Sequence, residues 1–278
     1  EPLGEEAYDA YTTSMSLGGY VAASAGRYEL AQDWNDRVLK VYEDHGDIFG
    51  ICTTLINRST LWFLTGRLDL FVSELERGVS LCREYGMAML EVLCVRNLGE
   101  IHLLMGKPAE SEPYIQRARA MYAKSIGEGA ALAVFIELQL ARAKWWSGEI
   151  AAAQEIYDKV RTQQAAAEAA GASDAILTGS ERLLLDQVGV ALGSGSAAEF
   201  DALIARGHTM SLQPQDIVEL IEWKGLAALR AGRRAEAIPL FEEAMAMAQQ
   251  KAPLVTERVR AQLTAALGGG PAPASMQG

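Results

Sequence analysis

"GLAALRAGRRAEAIPLFEEAMAMA", residues 225–248, contains one turn of the unit from which this chain is built. A stretch of helical pattern runs into Gly232 and a second one leaves it. Ala237, Leu240, Phe241, Ala244 and Ala248 recur at 3, 4, 7 and 11 residues from the first, one stripe of a 3.6-residue period. The glycine permits a left-handed backbone, or a close interhelical approach, that a Cβ would hinder. The same turn recurs upstream: "AGRYELA" places a glycine at 26, "TGRLDLF" at 66, "MGKPAES" at 106 and "SGEIAAA" at 148. The successive intervals are 40, 40, 42 and 84, and 84 is twice 42, so a weaker member belongs near "LGSGSAAEF" at 193–195. Six helix–turn–helix copies follow. Strictly alternating strands and Asn-Gly hairpin signals are missing from the pattern.

Positions at fixed distances from each glycine carry the packing. Seven residues before it stand Gly19, Ser59, Gly99, Ala141 and Gly225, and five after it stand Ala31, Ala153 and Ala237. Nine after it come Leu75, Ile115, Tyr157 and Phe241; twelve after it come Ala118 and Ala244, with larger Val38 and Val160 and smaller Gly78 elsewhere. In these residues the unit resembles the tetratricopeptide repeat in its longer, 40–42-residue variety, over residues from about 5 to 250. The resemblance implies an all-α fold: a right-handed α-α superhelix of about six helix pairs. Phe71 and Ser111 depart from the small residue wanted after the turn, which predicts wider helix spacing or irregular curvature there. Pro108 belongs in the first turn of its helix, and Ser196 with Glu199 has capping-box spacing. After the sixth copy, Pro253 opens "APLVTERVRAQLTAAL", read as a capping helix over the last repeat. The domain reading is therefore 1–267 as the helical repeat and 268–278 as a disordered tail.

Formal net charge is −11, with 12 basic and 18 acidic residues before position 126 and 13 and 18 after it. An evenly acidic surface repels phosphate backbones and argues against direct nucleic-acid binding. No apolar run reaches the length of a membrane helix, and the start has no secretory pattern. Cys52, Cys82 and Cys94 form no CxxC pair and are read as free buried thiols in a reducing, cytoplasmic setting. The missing initiator Met suggests a piece excised from a longer protein.

No HExxH, GxSxG, P-loop or metal-spaced Cys/His pattern occurs, so the chain reads as a non-enzyme that needs neither metal nor cofactor. The resemblance implies where a partner would sit. The first helix of each pair lines a concave groove at positions 13, 10, 6, 3 and 2 before the turn glycine. These positions select Arg96 and Glu100 in the third copy, Phe135, Arg142, Trp145 and Trp146 in the fourth, and Glu219 and Glu222 in the last. Asn57 and Asn97 stand nine before their glycines, where an amide can hold a peptide backbone. Ser16 and Tyr20 occupy the first copy where a carboxylate clamp would need Lys and Asn, so chaperone-tail binding is not supported.

Adjacent helical positions point about 100° apart, which predicts one ring of the Trp145–Trp146 pair in the core. The other, with Trp145 favoured, would face the groove beside Arg142. The expected function is an interaction module that takes a peptide or helix of another protein, including an upstream domain of its own chain. By family analogy it would be the C-terminal part of a larger bacterial signalling regulator. The alternative is a small-ligand or signal-peptide sensor, for which Phe135, Trp145 and Trp146 speak; self-association is a third reading.

Overall fold

A computed structural model describes residues 5–125, 131–172, 177–193, 196–210 and 212–268. They form thirteen α-helices, one 3-10 turn and no strand. The chain divides into two compact units, residues 1–98 and 99–278. The first unit holds α1 (Glu5–Ser24), α2 (Tyr28–His45), α3 (Ile48–Leu64), α4 (Leu68–Glu84) and most of α5 (Ala88–Leu104). The second takes the end of α5 and continues with α6 (Pro108–Ser125), α7 (Ala131–Trp146), α8 (Ile150–Ala170) and α9 (Gly179–Leu192). It closes with α10 (Ala197–Thr209), α11 (Pro214–Arg230), α12 (Arg234–Lys251), the 3-10 turn Pro253–Val255 and α13 (Thr256–Leu267). Six pairs and a thirteenth helix are the expected element count.

The turns are built as the spacing predicts. Gly26, Gly66, Gly106, Gly148 and Gly232 all have positive φ, between 71° and 78°, a conformation that costs a residue with a Cβ roughly 1–2 kcal/mol. Gly46 and Gly86, which the 40-residue count passes over, do the same at the turns between pairs. Gly193 does not: its φ is −87°, and residues 194 and 195 of the "GSGS" segment lie outside the described residues. So do residues 269–278 of the proposed tail.

Within each unit, consecutive helices pack on one another, α1 on α2 and α2 on α3, α11 on α12 and α12 on α13. First helices of successive pairs also touch: α1 with α3, α7 with α9, and α9 with α11. Burial follows this division. On α12 only Ala237, Phe241, Ala244 and Ala248 are buried, one stripe along the helix, whereas α11 is buried on nearly every side. Of the packing residues named from the sequence, Ala31, Val38, Leu75, Ile115, Ala118, Ala153 and Val160 are fully buried, whereas Tyr157 is half-buried.

Ser111 corrects an expectation. Its hydroxyl donates to the Gly99 carbonyl at 2.6 Å, and a Cβ placed on Gly99 would meet Ile115 Cγ1 at 2.9 Å. The helices there are close because the serine finds a partner across the pair instead of pushing it apart. Pro108 begins α6, and Ser196 Oγ accepts from the Glu199 backbone N–H at 3.3 Å.

Candidate functional site

The second unit contains a cavity of about 150 Å³. Its polar lining comes from Glu100 on α5, Arg142 on α7, Gln187 on α9, and Asp216 and Glu219 on α11. Its apolar wall is Phe135, Leu183, Leu184, Leu212 and Leu220. Glu100, Arg142 and Gln187 each stand six residues before a turn glycine, Gly106, Gly148 and Gly193. One repeat position therefore supplies a carboxylate, a guanidinium and an amide to a single space.

Arg142 is the centre of the polar side. It is 5% exposed, and its Nη1 donates to Glu100 Oε1 at 2.6 Å while Nε donates to Glu219 Oε1 at 2.6 Å. Nη2 completes a fork onto Glu219 Oε2. Burial disfavours the charge on Arg142, but the two carboxylates outweigh burial and raise its pKa. Burial likewise works against ionised Glu219, yet Arg142 and Arg258 hold its carboxyl below the ordinary range. A bidentate arginine pair of this kind survives desolvation only with its remaining hydrogen bonds satisfied. Trp146 Nε1, donating to Glu219 Oε1 at 3.4 Å, and Gln139 Nε2, donating to Glu100 Oε2 at 2.6 Å, supply them.

Asp216 is different. No ion pair holds it among the described residues, and burial pushes its carboxyl up to about 7; Arg142 opposes that shift while Glu219 and Glu100 add to it. Gln187 is 6% exposed, and its Nε2 has no hydrogen-bond partner among the described residues. A buried donor without a partner is uncommon.

Beside the cavity lies an aromatic block. Trp145 stacks on Trp223 with centroids 3.8 Å apart and planes 15° from parallel, and Trp146 stands edge-on to both. The expectation that one ring of the 145–146 pair faces outward is not met. Trp145 is 1% and Trp146 4% exposed, because α7 packs against α6, α8 and α9 together and keeps no solvent side. The arginines over these rings are Arg230, 4.0 Å from the Trp145 centroid, and Arg258, 5.1 Å from that of Trp146. Arg142 is committed to its carboxylates.

Glu222, also expected in the groove, is fully buried and receives the fork of Arg258, with Nε at 3.1 Å and 3.2 Å from its two oxygens. Arg258 comes from α13, the helix read as a cap, and its Nη1 donates to the Leu104 carbonyl at 2.9 Å. Of the ten residues singled out, Glu100, Phe135, Arg142 and Glu219 line the cavity, and Trp145, Trp146 and Glu222 form the buried layer beside it. Asn57, Arg96 and Asn97 belong to the first unit. Asn57 is exposed there, and Arg96 Nη2 donates to Asn97 Oδ1 at 2.7 Å.

Six of the lining residues, Leu183, Leu184, Gln187, Leu212, Asp216 and Leu220, and Arg258 in the layer beside them are not among the residues named from the sequence. Counting back six and ten from Gly193 lands on Gln187 and Leu183, so applying the rule to the degenerate fifth copy would have found them. Asp216 shares a face with Glu219 three residues on. Arg258 gave no local signal.

No protein-family model matches this sequence, and no curated protein matches it. No described helix is long and apolar enough to cross a membrane.

Proposed function

We propose that the chain is a non-catalytic recognition module of tetratricopeptide-repeat type whose second unit takes the end of a peptide. The observation that carries this reading is the convergence of Glu100, Arg142 and Gln187, one repeat position in three successive copies, on one cavity with an apolar wall. Contacts among first helices, α7 with α9 and α9 with α11, fit a repeat array that presents these faces together. The size of the space narrows the ligand. A helix with its side chains is about 10–12 Å across, whereas a cavity of 150 Å³ is about the room that takes one benzene ring. One apolar side chain of a partner, at a chain end, fits that space. A place at the C-terminal end of a larger bacterial signalling protein accords with this role.

The same dimensions favour a second reading, a sensor for a free small molecule. The test is a peptide-display selection run on the full chain and on Leu184→Trp, which fills the apolar wall. Enrichment of peptides by the parent and not by the variant supports the module. If no peptide is enriched but a metabolite library raises the melting temperature of the parent alone, the sensor reading replaces it. Equal enrichment by both proteins removes the cavity from the account.

A further inference from the structure

Resting on the recognition reading, we infer that the cavity of the second unit binds a primary ammonium group that carries one apolar substituent and an adjacent carbonyl. That is the chemistry of the free amino end of a peptide beginning with a large apolar residue. The charge balance of the lining is the first argument. Glu100, Asp216 and Glu219 are three carboxylates against the single guanidinium of Arg142. Arg142 is fully engaged by Glu100 and Glu219 through hydrogen bonds of 2.6 Å, which leaves Asp216 as the carboxylate without an ion pair among the described residues. An anion would meet net negative charge in a site of low dielectric, where repulsion is strong. An ammonium would supply the missing counter-charge.

The second argument is independent of charge. Gln187, more than nine-tenths buried, lines the same cavity with an Nε2 that has no partner among the described residues. A donor so placed calls for an acceptor on the occupant. In an amino-terminal residue the carbonyl carbon lies two bonds from the ammonium nitrogen, so the ammonium can serve Asp216 while the carbonyl oxygen serves Gln187. The third argument is the wall. Phe135, Leu183, Leu184 and Leu212 offer apolar surface to a single side chain, and the volume admits about one ring. A metal ion is a poor alternative, since no group of three or more His, Cys, Asp or Glu among the described residues could hold one.

The experiment is titration calorimetry on the full chain at pH 7, where the α-amino group is mostly protonated, with four probes: L-phenylalaninamide, its N-acetyl derivative, phenethylamine and the amidated peptide Phe-Gly-Gly. Phenylalaninamide should bind. Acetylation, which removes the cation and leaves the carboxylate alone, should weaken binding about 100-fold or more. Phenethylamine, which lacks the carbonyl, should bind about tenfold more weakly, and Gln187→Met should abolish that difference. Asp216→Asn should lose phenylalaninamide by about tenfold or more while remaining folded by circular dichroism. Binding of Phe-Gly-Gly amide as tight as that of phenylalaninamide identifies a chain end; binding of the single amide alone identifies a free amine. If the N-acetyl compound binds as well as the parent amide, or Asp216→Asn changes nothing, the ammonium assignment is overturned while the recognition reading stands. If no probe binds although displayed peptides are enriched, the inference fails alone; if neither occurs, both fail.

Discussion

Asp216 and Glu219 stand three residues apart on α11 and face one cavity under opposite constraints. Glu219 is kept ionised by the fork of Arg142, whereas Asp216, without an ion pair among the described residues, is pushed by burial from 3.8 up to about 7. An acid whose folded pKa exceeds its unfolded value binds more protons when folded between the two values. Its contribution therefore falls as pH rises from about 4 to about 7, and the full penalty remains above that window. Asp216→Asn should raise the melting temperature at pH 8, by about 2–4 °C for each kcal/mol recovered, and leave it nearly unchanged at pH 4. Calorimetry at the two pH values checks this; equal shifts at both would show that the carboxyl is solvated in the folded chain. The three cysteines are buried and free, and burial acts on Cys52 in the same sense, pushing its thiol up to about 12, so Cys52 is not poised as a nucleophile.

At the scale of the element, the repeat register decides which substitutions a helix tolerates. Gly99 sits seven residues before Gly106 and faces α6, where a Cβ would stand 2.9 Å from Ile115 Cγ1 and 3.3 Å from the Ser111 carbonyl oxygen. Gly99→Leu should destabilise the protein by about 1–3 kcal/mol or somewhat more, the usual range for overpacking. A lowered urea midpoint is the expected readout, and an unchanged one would place the register elsewhere. A 100° step between adjacent residues separates inside from outside only on a helix with one solvent face. Ile136, Leu138, Leu140, Ala141 and Ala143 of α7 are all buried along with Trp145 and Trp146, so neighbouring positions find different parts of the same core. The sequence "ALAVFIELQLARAKWW", apolar nearly all round, carried that information.

At the scale of the molecule, the second unit is fastened by a contact that spans 154 residues, from Arg258 on α13 to the Leu104 carbonyl at the end of α5. Arg258 is 1% exposed and Glu222 fully buried, and burial already outweighs Arg258 and pushes the Glu222 carboxyl up to about 7. Breaking such a pair from one side leaves a buried acid without its partner, at a cost of about 3–5 kcal/mol. Arg258→Met should show that loss by chemical denaturation. Adding Glu222→Leu should restore much of it, because two apolar groups need no counter-charge. If the single variant is as stable as the parent, α13 is an ornament on the last repeat. What the sequence determined by itself was everything set by local spacing. Glycines at intervals of about 40 residues specify helix lengths, turn positions and the small residues at pair interfaces, since each acts within one helix–turn–helix. Glu100, Arg142 and Glu219 were named through the resemblance to tetratricopeptide repeats, which implies the facing positions counted back from each glycine. The tertiary structure alone decided what those faces meet. Charges from helices distant in sequence neutralise one another, α7 and α11 lose their solvent side, Asp216 is left without an ion pair, and Gln187 Nε2 is left without a hydrogen-bond partner among the described residues. Burial and charge compensation depend on neighbours brought together in space, and no spacing along one chain encodes which neighbours those will be.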